Sequence, residues 1–568
     1  MKYILIFILT TSFIYAQNLD SLYNAVISLH QHETNIKTPN SITTNNPPIK
    51  CGFGIIADVK RHFNDFTTEQ QNNIQNVLER PILETSIVSP SGRFRIHYDR
   101  TGYNAPDYFN GIANTVQLSV DSLAMAFDSA YFFEVNYLGF DPPPSDDGDG
   151  GDDLYDVYIS NLGYYGVTNW TSNNVGKNVS FIQIDNQMSD PNNFFTKGIN
   201  AARVTAAHEF HHAIQVGSYS DNTEGNTYYF EITSTSMEEF VFDSVNDYYG
   251  YLSGYFKNPD RRFTYFDGSS NGGGYDRAIW NIFLKEKFEK DGDSKKGFDI
   301  IKRSWELMRN NQNSAIEAIS LALSENGLSL KNTFAEFSQW VYFTGYRTKQ
   351  NKYFSEANNY PLVKPIATYK YQGPKKTYMM SLKPMAHNYI VFDLSSSGIN
   401  DTLVSIISNC DLKNADIYPY TGVNYDYSLL TANEDGSNQI ITGYYSKLVS
   451  DKMEYLKESD VFNNEVVNGA TLVREEVDFA FPQPFNYSKN QFVFFPTKTN
   501  EYGIAKLAIY STSMNLIYNG QLPIYAAEKI IVRWDGKDNN GKKAASGIYI
   551  FVTDSDGEII TGKIAIIN

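Results

Sequence analysis

Three of the chain's eight histidines stand within five positions, in "AAHEFHHAIQ", residues 206–215. His208 and His212 are four apart. On a helix that spacing stacks the two rings on one face, one turn apart. Two imidazoles so placed can hold one Zn²⁺ at ~2.0–2.1 Å each. Glu209 follows the first histidine, where a carboxylate can take the proton of a zinc-activated water. Eight histidines spread over this length would give about 0.1 such pair by chance, and far fewer with glutamate in that slot. His211 points off the shared face and reads as packing or as support for the ligands. A catalytic zinc also wants a third protein ligand and one open position. "FEITSTSMEEF" follows downstream, with Glu231 eighteen residues beyond His212 at the start of a second predicted helix. Glu238 lies two turns further on the same face, where it can orient a ligand from outside the coordination sphere. Glu239 is one step round and reads as solvated.

The cluster needs a buried helix to carry it. "VTAA" before it and "AIQV" after it are apolar, so 198–217 reads as that helix. "GRFRIHYD" (92–99) alternates like a strand, and a long amphipathic helix is predicted over about 107–136. "VSFIQID" reads as a second strand, the edge that aligns an extended substrate by backbone pairing. From 228 to about 345 the pattern is mostly helical. Strands first and helices after predict an α+β domain over 86–350. Beyond about 365, short alternating runs lie between Gly, Asn and Asp turns, which predicts a β-sandwich over 365–479 and a further β unit over 480–568.

The series HExxH, eighteen residues, Glu resembles the gluzincin metallopeptidases. That resemblance implies a zincin-like catalytic domain, with His208, His212 and Glu231 as zinc ligands and Glu209 as general base. The longer text "HEFHHAIQ…FEITSTSMEE" is similar to a set of secreted bacterial metallopeptidases, although Ile232 stands where that family often has glycine. "GGGYDRAIWNIFL" (272–284) resembles the gluzincin segment in which a tyrosine opens a helix and faces the zinc, which makes Tyr275 the candidate donor to the oxyanion. The implied activity is hydrolysis of peptide bonds in a protein or peptide substrate, as an endopeptidase. The alternative is a catalytically idle surface protein that keeps this fold for adhesion or binding.

Other features bound the setting. In "SDDGDGGDDLYD", Asp146, Asp147, Asp149, Asp152, Asp153 and Asp156 crowd a glycine-rich loop that can wrap Ca²⁺, which takes 6–8 oxygens. The net charge of −17 argues against nucleic acid or an anionic membrane as partner. Residues 1–16, with Lys2, an apolar run and Ala16, read as a signal peptide, and no other stretch reads as a membrane span. The protein is therefore expected to be secreted or on the cell surface. Residues 17–85 read as a polar extension or propeptide that ends in one helix, "TTEQQNNIQNVLE". The two cysteines, Cys51 and Cys410, read as buried small apolar residues. The tail, with "WDGKDNNGKKAASGIYIF" (534–551), resembles the Ig-like C-terminal modules of exported proteins, including type IX secretion sorting domains. That implies a contact with secretion machinery.

Overall fold

The computed structural model describes residues 19–29, 50–172, 178–269, 272–348, 351–370, 385–387 and 389–393. It also describes isolated strands over 402–468, and most of 479–567. The expected signal peptide and Cys410 lie outside the described residues. The chain divides into two compact units, one of Met1–Gly254 with Thr264–Gly327 and the other of Tyr255–Phe263 with Leu328–Asn568.

In the first unit the leader is more helical than its polar sequence predicts. Helix α1 covers 19–29, α2 Phe53–Arg61 and α3 Thr68–Val77. Only α3 was legible, because Thr67 and Gln70 form a reciprocal capping box at its start. The apolar face of α2 is short, and it is fixed by what it covers rather than by its own pattern.

Five strands follow: β1 Thr85–Val88, β2 Phe94–Tyr98, β3 Tyr155–Ser160, β4 Gly166–Ser172 and β5 Asn178–Asp185. Their order is β1-β2-β3-β5-β4. The central pairs β2–β3 and β3–β5 are parallel, while β1 and β4 run antiparallel to their neighbours. The expectation that "VSFIQID" forms the edge is corrected here. That strand is β5 and is paired on both sides, so the edges are β1 and, beside β5, β4, "GVTNWTS". Buried strands on both faces lose the alternation that would tell edge from centre.

Helix α4 spans Val116–Tyr131 rather than starting near 107. Asn110, Gly111 and Asn114 adopt φ of 58°, 78° and 65°, which no helix accepts. Helix α5, Gly198–Ile214, packs on β4 and β5 and is flanked by α4 and by α6, Thr227–Val241. This explains why nearly every residue of α5 is buried, polar ones included. Helices α7 Tyr249–Lys257, α8 Ile279–Lys290, α9 Lys296–Met308 and α10 Ala315–Glu325 complete the helical run.

The second unit holds α11, Leu330–Tyr342, and is β-rich beyond it. Val423–Ala432 and Asn438–Lys447 form a ten-residue antiparallel ladder. Over 480–567 a five-stranded and a three-stranded sheet share one apolar core of Phe485, Val493, Phe495, Leu507, Ile509, Trp534, Phe551 and Ile564. Phe551 is fully buried, with its ring 4.9 Å from that of Phe495. Phe551→Ala is expected to destabilise this module by about 3–5 kcal/mol, read from the denaturant midpoint of the transition that reports it. Among the described residues, no helix is long and apolar enough to cross a membrane.

Candidate metal centre

Helix α5 brings His208 and His212 onto one face, and α6 crosses it to deliver Glu231. The three side chains meet in a fully enclosed site, each at most 1% exposed. His208 Nε2 and His212 Nε2 are 3.2 Å apart. Glu231 Oε2 lies 3.2 Å from the first and 3.4 Å from the second. Ligands placed tetrahedrally around a metal at ~2.0–2.1 Å sit roughly 3.3 Å from one another. The three separations match that edge length.

The outer nitrogens are held by partners. His208 Nδ1 is 2.7 Å from Glu238 Oε1, which gives Glu238 the supporting role expected of it. His212 Nδ1 is 2.8 Å from Gln215 Oε1 and 3.2 Å from Ser234 Oγ. Acceptors at Nδ1 draw the ring proton there and turn the Nε2 lone pairs inward. Neither oxygen of Glu231 has an aligned hydrogen-bond donor, although the group is buried. A buried carboxylate facing two inward lone pairs calls for positive charge. Burial lowers the His208 pKa, but Glu231 and Glu238 outweigh it and hold the ring up at about 9. A divalent cation satisfies the same demand, and the residues fit one.

The fourth member of the cluster comes from the leader. Cys51 Sγ, His208, His212 and Glu231 offer ligand atoms that all lie within 4.8 Å of one another. Cys51 is buried, as expected, and it lies beside His208, His212 and Glu231, a neighbourhood the sequence did not suggest. Nothing in local sequence pairs position 51 with position 208. The available signal was a lone cysteine in "KCGF" within an otherwise polar leader. Burial, and next the Glu209 and Glu231 carboxylates, push its thiol well up. A bound cation reverses that effect on a thiol.

Glu209 is buried beside the cluster. Thr168 Oγ1, on the edge strand β4, donates to its Oε2 at 2.8 Å, while its Oε1 has no hydrogen-bond partner. Tyr275 opens a short 3₁₀ turn, Tyr275–Arg277. Its ring centroid is 6.1 Å from that of His208. Burial, then Glu231 and Cys51, push its hydroxyl well above the ordinary tyrosine range, so it remains a donor. Gly274 permits this approach, with φ 105°. A Cβ there would lie 2.7 Å from Tyr228 O and 2.9 Å from Glu231 Cβ. Gly274→Ala is expected to cost about 1–3 kcal/mol through backbone strain and overpacking. It should also weaken metal retention by displacing Glu231, which thermal unfolding and metal content after dialysis would show together.

Three other expectations were tested by position. His211 faces away from the cluster and pairs with Glu134 at 2.8 Å, both fully buried. Glu239, read as solvated, is buried instead. In the acidic loop, Asp146 and Asp156 share the Arg80 guanidinium, Asp156 also meets His97 at 2.7 Å, and Asp152 pairs with Arg95. Asp147, Asp149 and Asp153 point outward and are exposed. Arg80 and Arg95 thus pair with three of the six carboxylates expected to take Ca²⁺. Among the described residues, the one group of metal-ligating side chains that converges is that at Cys51, His208, His212 and Glu231.

No protein-family model matches the chain, and no curated protein matches it. Solved structures show short partial likenesses. One is PorZ, an essential bacterial surface component of the type IX secretion system of Porphyromonas gingivalis. It is 15% identical over 24% of this chain and 22% of that one, with a TM-score of 0.13. Dimeric latent PorU from Porphyromonas gingivalis is 14% identical over 31% of this chain and 21% of that one, with a TM-score of 0.14. The BSP domain of a biofilm-associated protein is 11% identical over 29% of each chain, with a TM-score of 0.13. Each match spans less than a third of the solved chain, and scores this low define no common fold.

Proposed function

We propose that the chain is a secreted, zinc-dependent metallopeptidase of gluzincin type, zincin-like in its first unit and carrying an Ig-like C-terminal module. The observation that carries the reading is the meeting of His208 Nε2, His212 Nε2 and Glu231 Oε2 at 3.2–3.4 Å beside the buried Glu209 carboxylate. Zinc, when bound, supplies a Lewis acid that polarises a carbonyl and acidifies water.

The chain's own residues supply the rest. Thr168 fixes one oxygen of Glu209, leaving the other to take a proton from the attacking water and return it to the leaving amine. Tyr275 donates to the oxygen that gains charge as the carbonyl is attacked. Glu238 and Gln215 keep both ring protons on the outer nitrogens. The outer edge of β4, where residues 50–52 of the leader now pair with Tyr165 and Gly166, offers backbone groups to an extended peptide once it is vacated. The leader text 1–16 and the tail text "WDGKDNNG" and "SGIYIF" support export, with the tail as a sorting module for type IX secretion.

Metal content and hydrolysis of casein test the reading together. About one zinc per chain is expected, with hydrolysis by protein freed of its leader. A strong chelator should remove both, and added zinc should restore both. Hydrolysis that survives complete loss of metal would overturn the proposal.

A further inference from the structure

We propose that Cys51 is a detachable fourth ligand of the metal centre, and that the leader segment around it keeps the enzyme latent until the chain is cut between α3 and β1. This inference rests on the metallopeptidase reading and adds its regulation.

The first support is coordination. Cys51 Sγ converges with the three other ligand atoms in a site where Glu231 is buried and its oxygens accept no aligned hydrogen bond. It also accepts a hydrogen bond from Phe53 N at 3.3 Å, a contact that fixes the sulfur beside the cluster. Four protein ligands close a tetrahedral centre, whereas hydrolysis requires one position left open for water.

The second support is the fit of the flanking residues. Lys50 is buried, and its Nζ reaches Glu238 Oε2 at 2.9 Å and the Asp247 carboxylate. Glu238 is the same side chain that holds His208. Gly52 passes so close to the sheet that a Cβ would lie 2.9 Å from Val167 Cγ2. Phe53 lies flat on the His212 ring, with centroids 4.0 Å apart and planes 1° from parallel. Neighbouring residues of one short segment thus engage the sulfur position, both histidines and the supporting carboxylate.

The third support is that the segment occupies the edge a substrate needs. Gly52 N donates to Gly166 O at 3.1 Å, and Tyr165 N donates to Lys50 O at 3.2 Å. Cys51 forms a parallel bridge with Gly166 at the start of β4. An extended peptide cannot pair there while the leader does. The leader therefore blocks both the metal position and the backbone edge.

The means of release is local. Between α3 and β1 the chain runs through "ERPILE", 79–84, without helix or strand, and Ile82 is 99% exposed. Exposed connections of this kind are the preferred sites of proteolytic nicking. A cut adds one water across a peptide bond, leaving a carboxylate and an amine. The leader is then held only by non-covalent contacts. With metal bound, departure of the leader would let the Cys51 sulfur take a proton from solvent and leave as a thiol, with His208, His212 and Glu231 still holding the ion and one position open to water.

The test uses the full chain with a specific protease site inserted between Pro81 and Ile82, loaded with Co²⁺ for spectroscopy or Zn²⁺ for assay. Uncut protein should show a thiolate-to-cobalt charge-transfer band, and Cys51 should resist thiol reagents. Cutting should abolish the band and expose one reactive thiol. Casein hydrolysis should rise by about 10²-fold or more, the scale of the general-base contribution that becomes usable. Cys51→Ala and Cys51→Ser should lack the band; uncut, they should still hydrolyse casein far less than the cut chain, because the leader backbone still covers the β4 edge, and cutting should restore full turnover.

Absence of the band in uncut, metal-loaded wild type would overturn the proposal without any mutant. A band that survives cutting and removal of the leader would also overturn it, and would make the site a closed structural one. Loss of the band and exposure of the thiol without hydrolysis would uphold the detachable ligand and sink the peptidase reading instead.

Discussion

Glu209→Gln is expected to leave zinc content unchanged and to lower casein turnover by the cut chain by about 10²–10⁴-fold, the usual contribution of a positioned general base. The substitution suits the test because it preserves shape. The amide oxygen can still accept from Thr168 Oγ1, which now donates to the carboxylate at 2.8 Å. The ligating atoms of His208, His212 and Glu231 are untouched, so binding and chemistry separate. What disappears is the basicity of the oxygen without a partner. The decisive comparison is turnover per bound zinc, for wild type and variant cut in the same way. Equal turnover would remove Glu209 from the mechanism, whereas loss of zinc would show that it holds the metal instead.

Lys50→Met should cost the first unit about 3–5 kcal/mol of stability, the scale of breaking a buried ion pair from one side. Lys50 is 3% exposed and faces two buried carboxylates, Glu238 and Asp247. Burial alone would lower its pKa, but Asp247 and then Glu238 raise it above the ordinary lysine value, so the pair is ionised. Methionine keeps the length of the stem and removes the charge, leaving two carboxylates facing each other in a dry site. Asp247 also accepts from Tyr165 Oη at 2.8 Å and from Thr196 N at 3.1 Å, so it cannot turn away without further loss. Thermal or denaturant unfolding measures the effect. Adding Asp247→Asn to the variant should recover part of it, because neighbours in one network are not additive. A loss below about 1 kcal/mol would mean that water reaches the pair, as at a surface ion pair.

The sequence by itself determined the parts of the site that lie on single helices. His208, His212 and Glu209 are set by one turn of α5, and the i, i+4 rule places them wherever the helix packs. Glu231 and Glu238 share a face of α6 for the same reason, so a supporting role for Glu238 was legible, while its partner, His208, was not. The α+β order of elements and the β texture of 480–568 could be read from hydrophobic period and turn residues.

Tertiary structure alone decided everything that depends on pairing across long gaps. The edge at that end of the sheet proved to be β4 rather than β5, because a buried strand carries no mark of which side lacks a neighbour. The pairing of Asp146, Asp152 and Asp156 with Arg80 and Arg95, distant in sequence, could not be read from the acidic loop itself. Cys51 stands 157 positions before His208, and no local period connects them. Its role emerges only when a parallel bridge to Gly166 lays the leader along β4. Helical spacing is a property of one segment and survives in the text. Register between separate segments is fixed by packing and by satisfying buried charge, which the linear order of residues does not encode.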